Sequence, residues 1–342
     1  IWKNDALLDL GDAKSGYTIK DANNLALLLT KYLNIPSEHI HPAYEDAFFF
    51  LWEEAKLPIN VDPYKANLDD PLERKKLAEL LVNGMATPAG YVIPIEWNFW
   101  NERWLSGKWV LKNDQLILIP GNSPLGLRLP LKSLAVMPPH KLQKPVERSP
   151  FEVLPQFPDF HADAQKRYLS PVPPSELPRE FYSSPPEAEE TPDKKEEKKE
   201  KQAVQDKDKS GSAVEYYTVP TALCIEVREG RIYIFMPPLH YAEHYLNMLA
   251  SIEAATEKLK LKVVIEGYEP PRDNRITRLG LSPDPGVLEV NIHPAKNWTE
   301  LVENYDILFE QARLSRLSSE KFMLDGKHTG TGGGNHITIG GV

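Results

Sequence analysis

Cysteine is nearly absent from this chain, which has one, Cys224, in 342 residues. A single thiol excludes an intramolecular disulfide and a zinc site built from cysteines. Cys224 is also the only residue that could act as the nucleophile of a cysteine hydrolase or a transglutaminase. Its place in the middle of a predicted strand, with no adjacent base in the sequence, favours a buried core thiol instead.

Long apolar runs and an excess of positive charge are also missing. No run approaches the roughly 20 apolar residues that cross a bilayer, and no signal peptide is visible, so we expect a cytoplasmic protein that does not bind membranes. The formal net charge of −9 removes any global electrostatic case for nucleic-acid binding. Hydrophobic residues make up 41% of the chain, which is typical of a soluble protein with a core.

Residues 1–137 form the first predicted region, a mixed α/β block. Asp21 is a suitable N-cap for a helix whose apolar positions recur at helical spacing, and further helices are predicted over 43–56 and from Asp70 to Gly84. The strand-like pieces of the block span 91–95, 109–111, 115–119 and 126–131. The sequence leaves open whether the block is an insert, a lid or part of the same sheet as the rest.

Residues 138–212 form the second region, where the composition changes. Proline is dense at first, and residues 187–209 are almost entirely charged or small polar. Such a segment cannot bury enough apolar surface to offset the entropy that it would lose on ordering. We therefore predict a disordered linker.

Residues 213–342 form the third region. Its predicted strands span 221–227, 231–236, 263–266, 276–281 and 287–293. One helix follows the second strand, with an apolar stripe from Tyr245 to Leu259, and Asn297 and Glu300 form the capping-box-like start of another. Hairpins interleaved with helices predict an α+β fold, with helices on one face of a largely antiparallel sheet and the other face free to carry chemistry.

Two phrases near the C-terminus combine strand-like alternation with polar side chains: Gly286-Val-Leu-Glu-Val-Asn-Ile-His-Pro294 and His328-Thr-Gly-Thr-Gly-Gly-Gly-Asn-His336. Because side chains alternate between the two faces of a strand, Glu289 shares a face with Asn291 and His293. The glycines of the second phrase would let backbone N–H groups approach phosphate oxygens. The phrase lacks the Gly-Lys-Ser/Thr ending of a Walker loop, and a flexible loop is the alternative interpretation.

Carboxylate and imidazole side chains recur on one face of three predicted strands. Glu226 shares its face with Cys224 and Arg228, Glu289 occupies a later strand, and His336 follows the glycine-rich turn. Mg²⁺ prefers carboxylate oxygens, and Mn²⁺ accepts imidazole as well. The pattern therefore indicates a site for metal and phosphate, although Glu226 is equally compatible with an ordinary surface position on a hairpin.

The order of these features resembles the glutamine synthetase and glutamate–cysteine ligase superfamily. There, a Gly-x-x-Glu strand is followed by a long helix and by a glycine- and asparagine-rich turn that leads to a histidine. Outside the predicted linker, the chain more closely resembles the amidoligase region of large bacterial transglutaminase-like proteins. The supporting phrases are Pro42-Ala-Tyr-Glu-Asp46, Leu57-Pro-Ile-Asn-Val-Asp-Pro63, Ile119-Pro-Gly-Asn-Ser-Pro-Leu-Gly-Leu-Arg-Leu-Pro130, Glu266-Gly-Tyr-Glu-Pro-Pro-Arg-Asp273 and Phe322-Met-Leu-Asp-Gly-Lys-His328.

The resemblance implies a glutamine synthetase-like fold and an ATP-dependent carboxylate–amine ligase, in which ATP phosphorylates a carboxylate and an amine then displaces the phosphate. The implied metal ligands for Mg²⁺ or Mn²⁺ are Glu226, Glu289 and His336, with Glu266 as the alternative to Glu226. The residues expected to bind the nucleotide or substrate are Arg272, Arg275, His328, Gly332, Gly333 and Asn335. The implied partners are a small-molecule or peptide carboxylate and an amine.

The end of the chain departs from the superfamily pattern. There, the sheet continues after the histidine strand and supplies further arginines and a late metal glutamate, whereas this sequence stops at Val342 and lacks an initiator methionine. We therefore expect an internal fragment, accompanied by further domains of the same polypeptide and inactive in isolation. The alternative function is a non-catalytic nucleotide- or metal-binding module beside a transglutaminase-like protease or ligase domain.

Overall fold

The computed structural model describes residues 2–9, 15–46, 49, 52, 87–99, 101–111, 115–134, 148–149, 151–171, 218–284, 287–318 and 320–330. The chain divides into two compact units, Ile1–Asp273 and Asn274–Val342. The first unit combines a six-stranded sheet with a layer of helices, so the predicted α+β fold is confirmed.

One mixed sheet is the framework of the first unit. The strands of this unit are β1 (His41–Tyr44), β2 (Gly90–Pro94), β3 (Glu96–Asn98), β4 (Arg103–Leu105), β5 (Leu116–Ile117), β6 (Ala222–Arg228), β7 (Arg231–Met236) and β8 (Val263–Gly267). Six of them lie in the order β5-β1-β2-β6-β7-β8, and β3 pairs with β4 separately. The outer pairs β5-β1 and β7-β8 are parallel, and the pairs between them are antiparallel.

The pairing of β2 with β6 answers the question that the sequence left open about the N-terminal block. Gly90 lies opposite Glu226 and Val92 lies opposite Cys224 in this antiparallel pair. Because β2 comes from the block and β6 from the third region, the block is part of the same sheet. The break between compact units falls after Asp273, rather than between these two regions.

Helices cover one face of this sheet. They are α1 (Ile19–Leu33), α2 (Phe160–Leu169) and α3 (Ala242–Leu259). Helix α1 packs against β2 and β6, and the three helices pack against one another. Side chains such as Ile93, Ile225 and Ile234 are fully buried on this side. Within the part of the chain that the structure describes, no helix combines the length and apolarity needed to cross a membrane.

Helix α2 falls inside the range predicted as a disordered linker, and the prediction is wrong for its residues. Arg167 donates from Nε to the carbonyl oxygen of Tyr32 at 2.8 Å, and from Nη2 to Asn247 Oδ1 at 2.9 Å and Ser251 Oγ at 3.0 Å. Trp104 Nε1 donates to the same Asn247 oxygen at 3.0 Å. Apolar contacts add to these bonds, since Phe160 and Ala164 are buried and Tyr168 stacks on Tyr32 of α1 with ring centroids 4.6 Å apart. The composition of the whole range hid this short helix.

The opposite face of the sheet is covered by residues 109–111 and 115–134, called the segment 109–134 below, rather than left free as the sequence suggested. Leu116, Leu125 and Trp109 pack there against Cys224 and Phe235. Gly126 lies so close to Phe235 that an added Cβ would sit 2.1 Å from the ring. A glycine is therefore needed where this segment crosses the sheet.

A buried ion pair fastens the same segment. Arg128 donates from Nη1 to Glu45 Oε1 at 3.0 Å, and from Nε to the carbonyl oxygen of Ile119 at 2.8 Å. The two side chains are only 4% and 10% exposed. Two of the phrases that carried the family resemblance, around Glu45 and around Arg128, thus meet in the fold.

Several local predictions for the first block are corrected. The helix predicted over 43–56 is wrong at its start, because Ala43 belongs to β1 and its carbonyl oxygen accepts the Ala89 N–H at 2.7 Å. Phe49 and Trp52, later in the predicted range, are helical. The strand predicted over 126–131 contains a 3-10 turn, Leu125–Arg128, and 109–111 is not a strand. Helix α1 begins after Thr18, whose N–H donates to Asp21 at 2.8 Å. The predicted helix from Asp70 to Gly84 lies outside the described residues.

Among its described residues, the second unit contains two hairpins and a helix. Its elements are β9 (Gly280–Asp284), β10 (Val287–Asn291), α4 (Trp298–Leu314), β11 (Lys321–Phe322) and β12 (His328–Thr329). The predicted start of α4 is confirmed, since Asn297 Oδ1 accepts the Glu300 N–H at 2.9 Å and Glu300 Oε2 accepts the Lys296 N–H at 2.7 Å. The strand that contains Glu289, β10, is thus followed by the long helix α4, in the order predicted from the sequence.

Replacing Gly126 with alanine tests the close approach to the sheet. The added Cβ has no room beside Phe235, so we expect the free energy of unfolding to fall by about 1–3 kcal/mol. Urea denaturation measures the change. Leu127→Ala is the matched control, because its side chain is 59% exposed in the same segment. A Gly126→Ala variant as stable as this control would contradict the packing described.

Buried titratable groups predict how stability changes with pH. Burial lowers the pKa of both His41 and His244 to about 4, whereas an unfolded histidine titrates at about 6.5. The unfolded chain therefore binds more protons at these residues between about pH 6.5 and 4, so their contribution to stability is lost as the pH falls. Burial also raises the pKa of Glu96 to about 7. The folded chain then binds a proton that the unfolded chain lacks between about pH 7 and 4.5, which offsets the destabilisation from about one of the two histidines.

We therefore expect the urea midpoint to fall as the pH is lowered from about 6.5 to 5. Burial also lowers the pKa of His39, which adds to the decline. His41→Gln retains an acceptor for the Trp109 N–H, which His41 Nε2 accepts at 3.0 Å, and should flatten this decline. His293→Gln, at an exposed position in the second unit, is the control and should leave the decline unchanged. An unchanged slope in His41→Gln would show that His41 does not contribute.

Candidate functional site

Glu226 lies in the middle of the sheet, on the face that the segment 109–134 covers. Its Oε1 atom accepts a hydrogen bond from the Leu125 N–H at 3.1 Å. The residue is 8% exposed. The predicted face is confirmed, because Cys224 packs on this side of the sheet and Ile225 on the other.

Arg228 holds Glu226 and Glu266 together. Its Nε atom lies 3.2 Å from Glu226 Oε1, and its Nη2 donates to Glu266 Oε2. The guanidinium also stacks on Tyr233, with Cζ 3.6 Å from the ring centroid. The two glutamates that the sequence offered as alternatives for one role are thus members of one cluster, and a single cation compensates both.

The charge of this cluster limits what it can bind. Glu226 Oε1 already has a backbone donor and the arginine beside it, whereas Glu266 Oε1 is buried without a hydrogen-bond partner. A metal ion at Glu226 would therefore lie beside the Arg228 guanidinium, which repels it. Among the described residues, no group of three or more His, Cys, Asp and Glu side chains is arranged to hold a metal.

Cys224 does not have the environment of a nucleophile. Its thiol is 1% exposed. Burial raises its pKa well above the usual range, and the nearby carboxylates of Glu226 and Glu266 raise it further. A protonated, enclosed thiol is unreactive, so the cysteine of this chain is a core residue, as its strand position indicated.

Glu289 lies in the second unit, on β10, opposite Ser282 of β9. Its side chain is exposed, as are those of Asn291 and His293, while Val290 is half-buried. The predicted polar face is therefore present as an accessible row of a carboxylate, an amide and an imidazole. These donors suit Mg²⁺ or Mn²⁺.

The other predicted site residues are spread over both units. Arg272 is exposed near the end of the first unit, Arg275 is half-buried in the second, and His328 is exposed on β12. The ring of His328 contacts Phe322 edge to face at 5.5 Å. Gly332, Gly333, Asn335 and His336 lie outside the described residues, so their roles stay predictions.

Arg228 is the functional candidate that sequence reasoning missed. The sequence placed Arg228 on the same face as Glu226, two residues away, but gave it no role. The Glu229-Gly230 turn was the part of the signal that the sequence did contain, because it fixes the register of β6 with β7. In this register Arg228 lies opposite Arg231, and Glu226 lies opposite Tyr233. The contact with Glu266 depends on β8, which pairs with β7 only after the intervening helix α3.

Replacing Arg228 with glutamine tests whether the cluster depends on its cation. Two carboxylates would then lie in a mostly buried site without the Arg228 charge that pairs with both. We therefore expect the free energy of unfolding to fall by about 1–3 kcal/mol. This is below the loss for a fully buried pair because the Arg228 side chain is 33% exposed. Urea denaturation measures the loss. The Arg228→Lys variant keeps the charge but not the planar guanidinium, so its stability should lie between those of the wild type and Arg228→Gln.

The control for that variant is Lys262→Gln, which removes a positive charge from an exposed position in the same unit. It should change stability by less than about 0.5 kcal/mol. Equal stability of the Arg228→Gln and Lys262→Gln variants would show that the two glutamates do not need Arg228.

Comparison with known proteins gives one result at the level of a family. Neither the curated proteins nor the solved structures provide a match to this chain. A family model described as "Putative amidoligase enzyme (DUF2126)" matches residues 1–342, which agrees with the amidoligase resemblance of the sequence phrases. The match runs through both compact units, and on this ground the chain belongs to that amidoligase family.

Proposed function

We propose that this chain acts in an ATP-dependent carboxylate–amine ligase, which forms an amide or peptide bond through an acyl phosphate. The observation that carries the proposal is membership of the amidoligase family over residues 1–342. ATP, when bound, would supply the phosphoryl group that activates the carboxylate. The protein would position the reactants and neutralise the charge that develops between them.

A divalent cation fits Glu289 better than it fits Glu226. Glu289 is exposed beside Asn291 and His293, and a carboxylate with amide and imidazole neighbours is a suitable donor set. The Glu226 carboxylate is already occupied by the Leu125 N–H and Arg228. We therefore assign the metal role to Glu289 and propose that Glu226 becomes a ligand only where Arg228 has moved away from it.

Two arginines in the sequence segment before β9 are the proposed partners of phosphate. Arg272 is exposed, and Arg275 is half-buried on the segment that leads to β9. A guanidinium binds phosphate oxygens through two parallel hydrogen bonds, which orients as well as attracts them. His328 on β12, together with Gly332, Gly333, Asn335 and His336, completes the proposed set for nucleotide and metal.

The Glu289→Gln variant tests the ligase directly. The assay contains ATP, Mg²⁺, a mixture of amino acids as carboxylates and hydroxylamine as the amine. ATP phosphorylates the carboxylate and leaves as ADP, and hydroxylamine then displaces phosphate from the acyl phosphate to give a hydroxamate. Removing the metal-binding charge should reduce both products by at least about 100-fold. Ferric hydroxamate colour and coupled ADP release measure the two products independently.

The matched control is Glu303→Gln, the same substitution at an exposed position on α4, which should keep wild-type turnover. Full turnover in Glu289→Gln would reject its metal role. If the wild-type protein instead gains thermal stability from Mg²⁺ and ATP but releases no ADP with any carboxylate, the binding-module alternative is favoured.

A further inference from the structure

A cavity of about 300 Å³ lies between the N-terminal end of α2 and the middle of α3. It belongs to the helical side of the first unit, whereas Glu226 faces the other side of the sheet. The residues that line it are Lys3, Phe157, Pro158, Asp159, Phe160, His161, Leu246 and Ala250. Its volume is at the lower end of those that bind small molecules.

Most of the cavity wall is apolar. Leu246 and Ala250, from α3, are 3% and 2% exposed. The rings of Phe157 and Phe160 have centroids 6.1 Å apart and are tilted by 50°. Such a surface suits a short hydrocarbon or aromatic body, and the faces of the two rings attract a cation.

Asp159 places a negative charge on the rim. It is the N-cap of α2, where one carboxylate oxygen, Oδ1, accepts the N–H groups of His161 at 3.1 Å and Ala162 at 3.3 Å. The hydrogen bond from Ala162 is the main reason that the pKa of Asp159 is lowered, so the group is charged at neutral pH. Lys3 Nζ lies 3.5 Å from Oδ1, in a pair whose side chains are 60% and 61% exposed.

A second carboxylate, that of Glu253, lies next to His161 of the cavity wall. Glu253 Oε1 accepts the backbone N–H groups of Lys3 and Asn4, both at 2.6 Å. Its Oε2 atom is buried without a hydrogen-bond partner and lies 3.3 Å from His161 Nε2. The Glu253 side chain is only 4% exposed, so solvent screens its charge poorly, and its neighbour His161 is part of the cavity wall.

We propose that this cavity binds a small organic ammonium ion, with its apolar body against Phe160 and Leu246 and its ammonium group at Asp159. The Asp159 carboxylate on the rim and the nearby Glu253 carboxylate favour a cation over an anion at this position. The opposing charge is the Lys3 ammonium, and an exposed lysine pair of this kind is weak. A bound amine would therefore take the place of Lys3 beside Asp159.

This site goes beyond the proposed ligase function and does not depend on it. Its residues belong to α2, α3 and the N-terminal segment, and its test uses neither ATP nor a carboxylate substrate. A negative result here would leave the ligase assay with Glu289→Gln unaffected, and the reverse is also true.

Benzylamine is the probe, with benzyl alcohol and benzoate as a neutral and an anionic analogue of similar shape. Calorimetric titration of the 342-residue chain at pH 7 should give benzylamine a Kd in the range of about 0.1–10 mM. Benzyl alcohol should bind at least about fivefold more weakly and benzoate more weakly still. Equal or tighter binding of benzoate, or no detectable binding of benzylamine, would overturn the proposal.

Two substitutions that should change the benzylamine affinity in opposite directions locate the site. Asp159→Asn keeps an N-cap acceptor for α2 but removes the charge, and should weaken benzylamine binding at least about fivefold. Lys3→Met removes the competing ammonium and should strengthen it about two- to threefold. Asp163→Asn, which makes the same charge change on an exposed position of α2 outside the cavity, should leave it unchanged.

Two results would contradict this location even if benzylamine binds. One is an Asp159→Asn variant that retains its helical circular dichroism and binds as tightly as the wild type. The other is a Lys3→Met variant that binds more weakly, since an anion-binding site would respond in that direction.

Discussion

The first unit depends on the antiparallel pairing of β2 with β6. These strands are distant in the sequence, and their backbone hydrogen bonds join the N-terminal block to the strands β7 and β8. The register sets Gly90 opposite Glu226 and Val92 opposite Cys224, so it determines which side chains the segment 109–134 covers. A shift of one residue would move every side chain of β6 to the other face, placing Glu226 among the helices and Ile225 against Leu125. The charged cluster, the covered sheet face and the helical layer with its cavity therefore all follow from this one register.

Charge compensation is the second constraint on this unit. Buried carboxylates are stable only where cations or backbone donors satisfy them. Arg228 forms ion pairs with Glu226 and Glu266, and Arg128 donates hydrogen bonds to Glu45. Two backbone N–H groups donate to Glu253. The other oxygen of Glu253, Oε2, has no hydrogen bond and lies 3.3 Å from His161 in the wall of the 300 Å³ cavity. The second unit differs, because Glu289 is exposed and no buried cation is committed to it in the described residues. That contrast is why the proposed metal role rests on Glu289.

Sequence patterns predicted the elements whose signals are local. The capped start of α4, the Glu229-Gly230 hairpin and the apolar stripe of α3 were all readable, because each depends on residues within a few positions of one another. The polar face of β10 was readable for the same reason. The misses involve distant partners: Ala43 belongs to a strand through bonds to β2 and β5, and α2 is fixed by Arg167 contacting α1 and α3. Arg228 was visible on the right face, but its role required Glu266, which α3 separates from it in the sequence.

The sequence by itself determined the α+β class, the amidoligase family and the alternation that puts Glu226 and Cys224 on one side of β6. These follow from short-range periodicity and from phrases long enough to be specific. Only the tertiary structure decided that the two sequence regions share a sheet, that the segment 109–134 covers the face expected to be open, and that one arginine compensates both alternative glutamates. The physical reason is that strand pairing and charge burial are set by contacts between residues far apart in the chain, and no local pattern encodes which partner will be there.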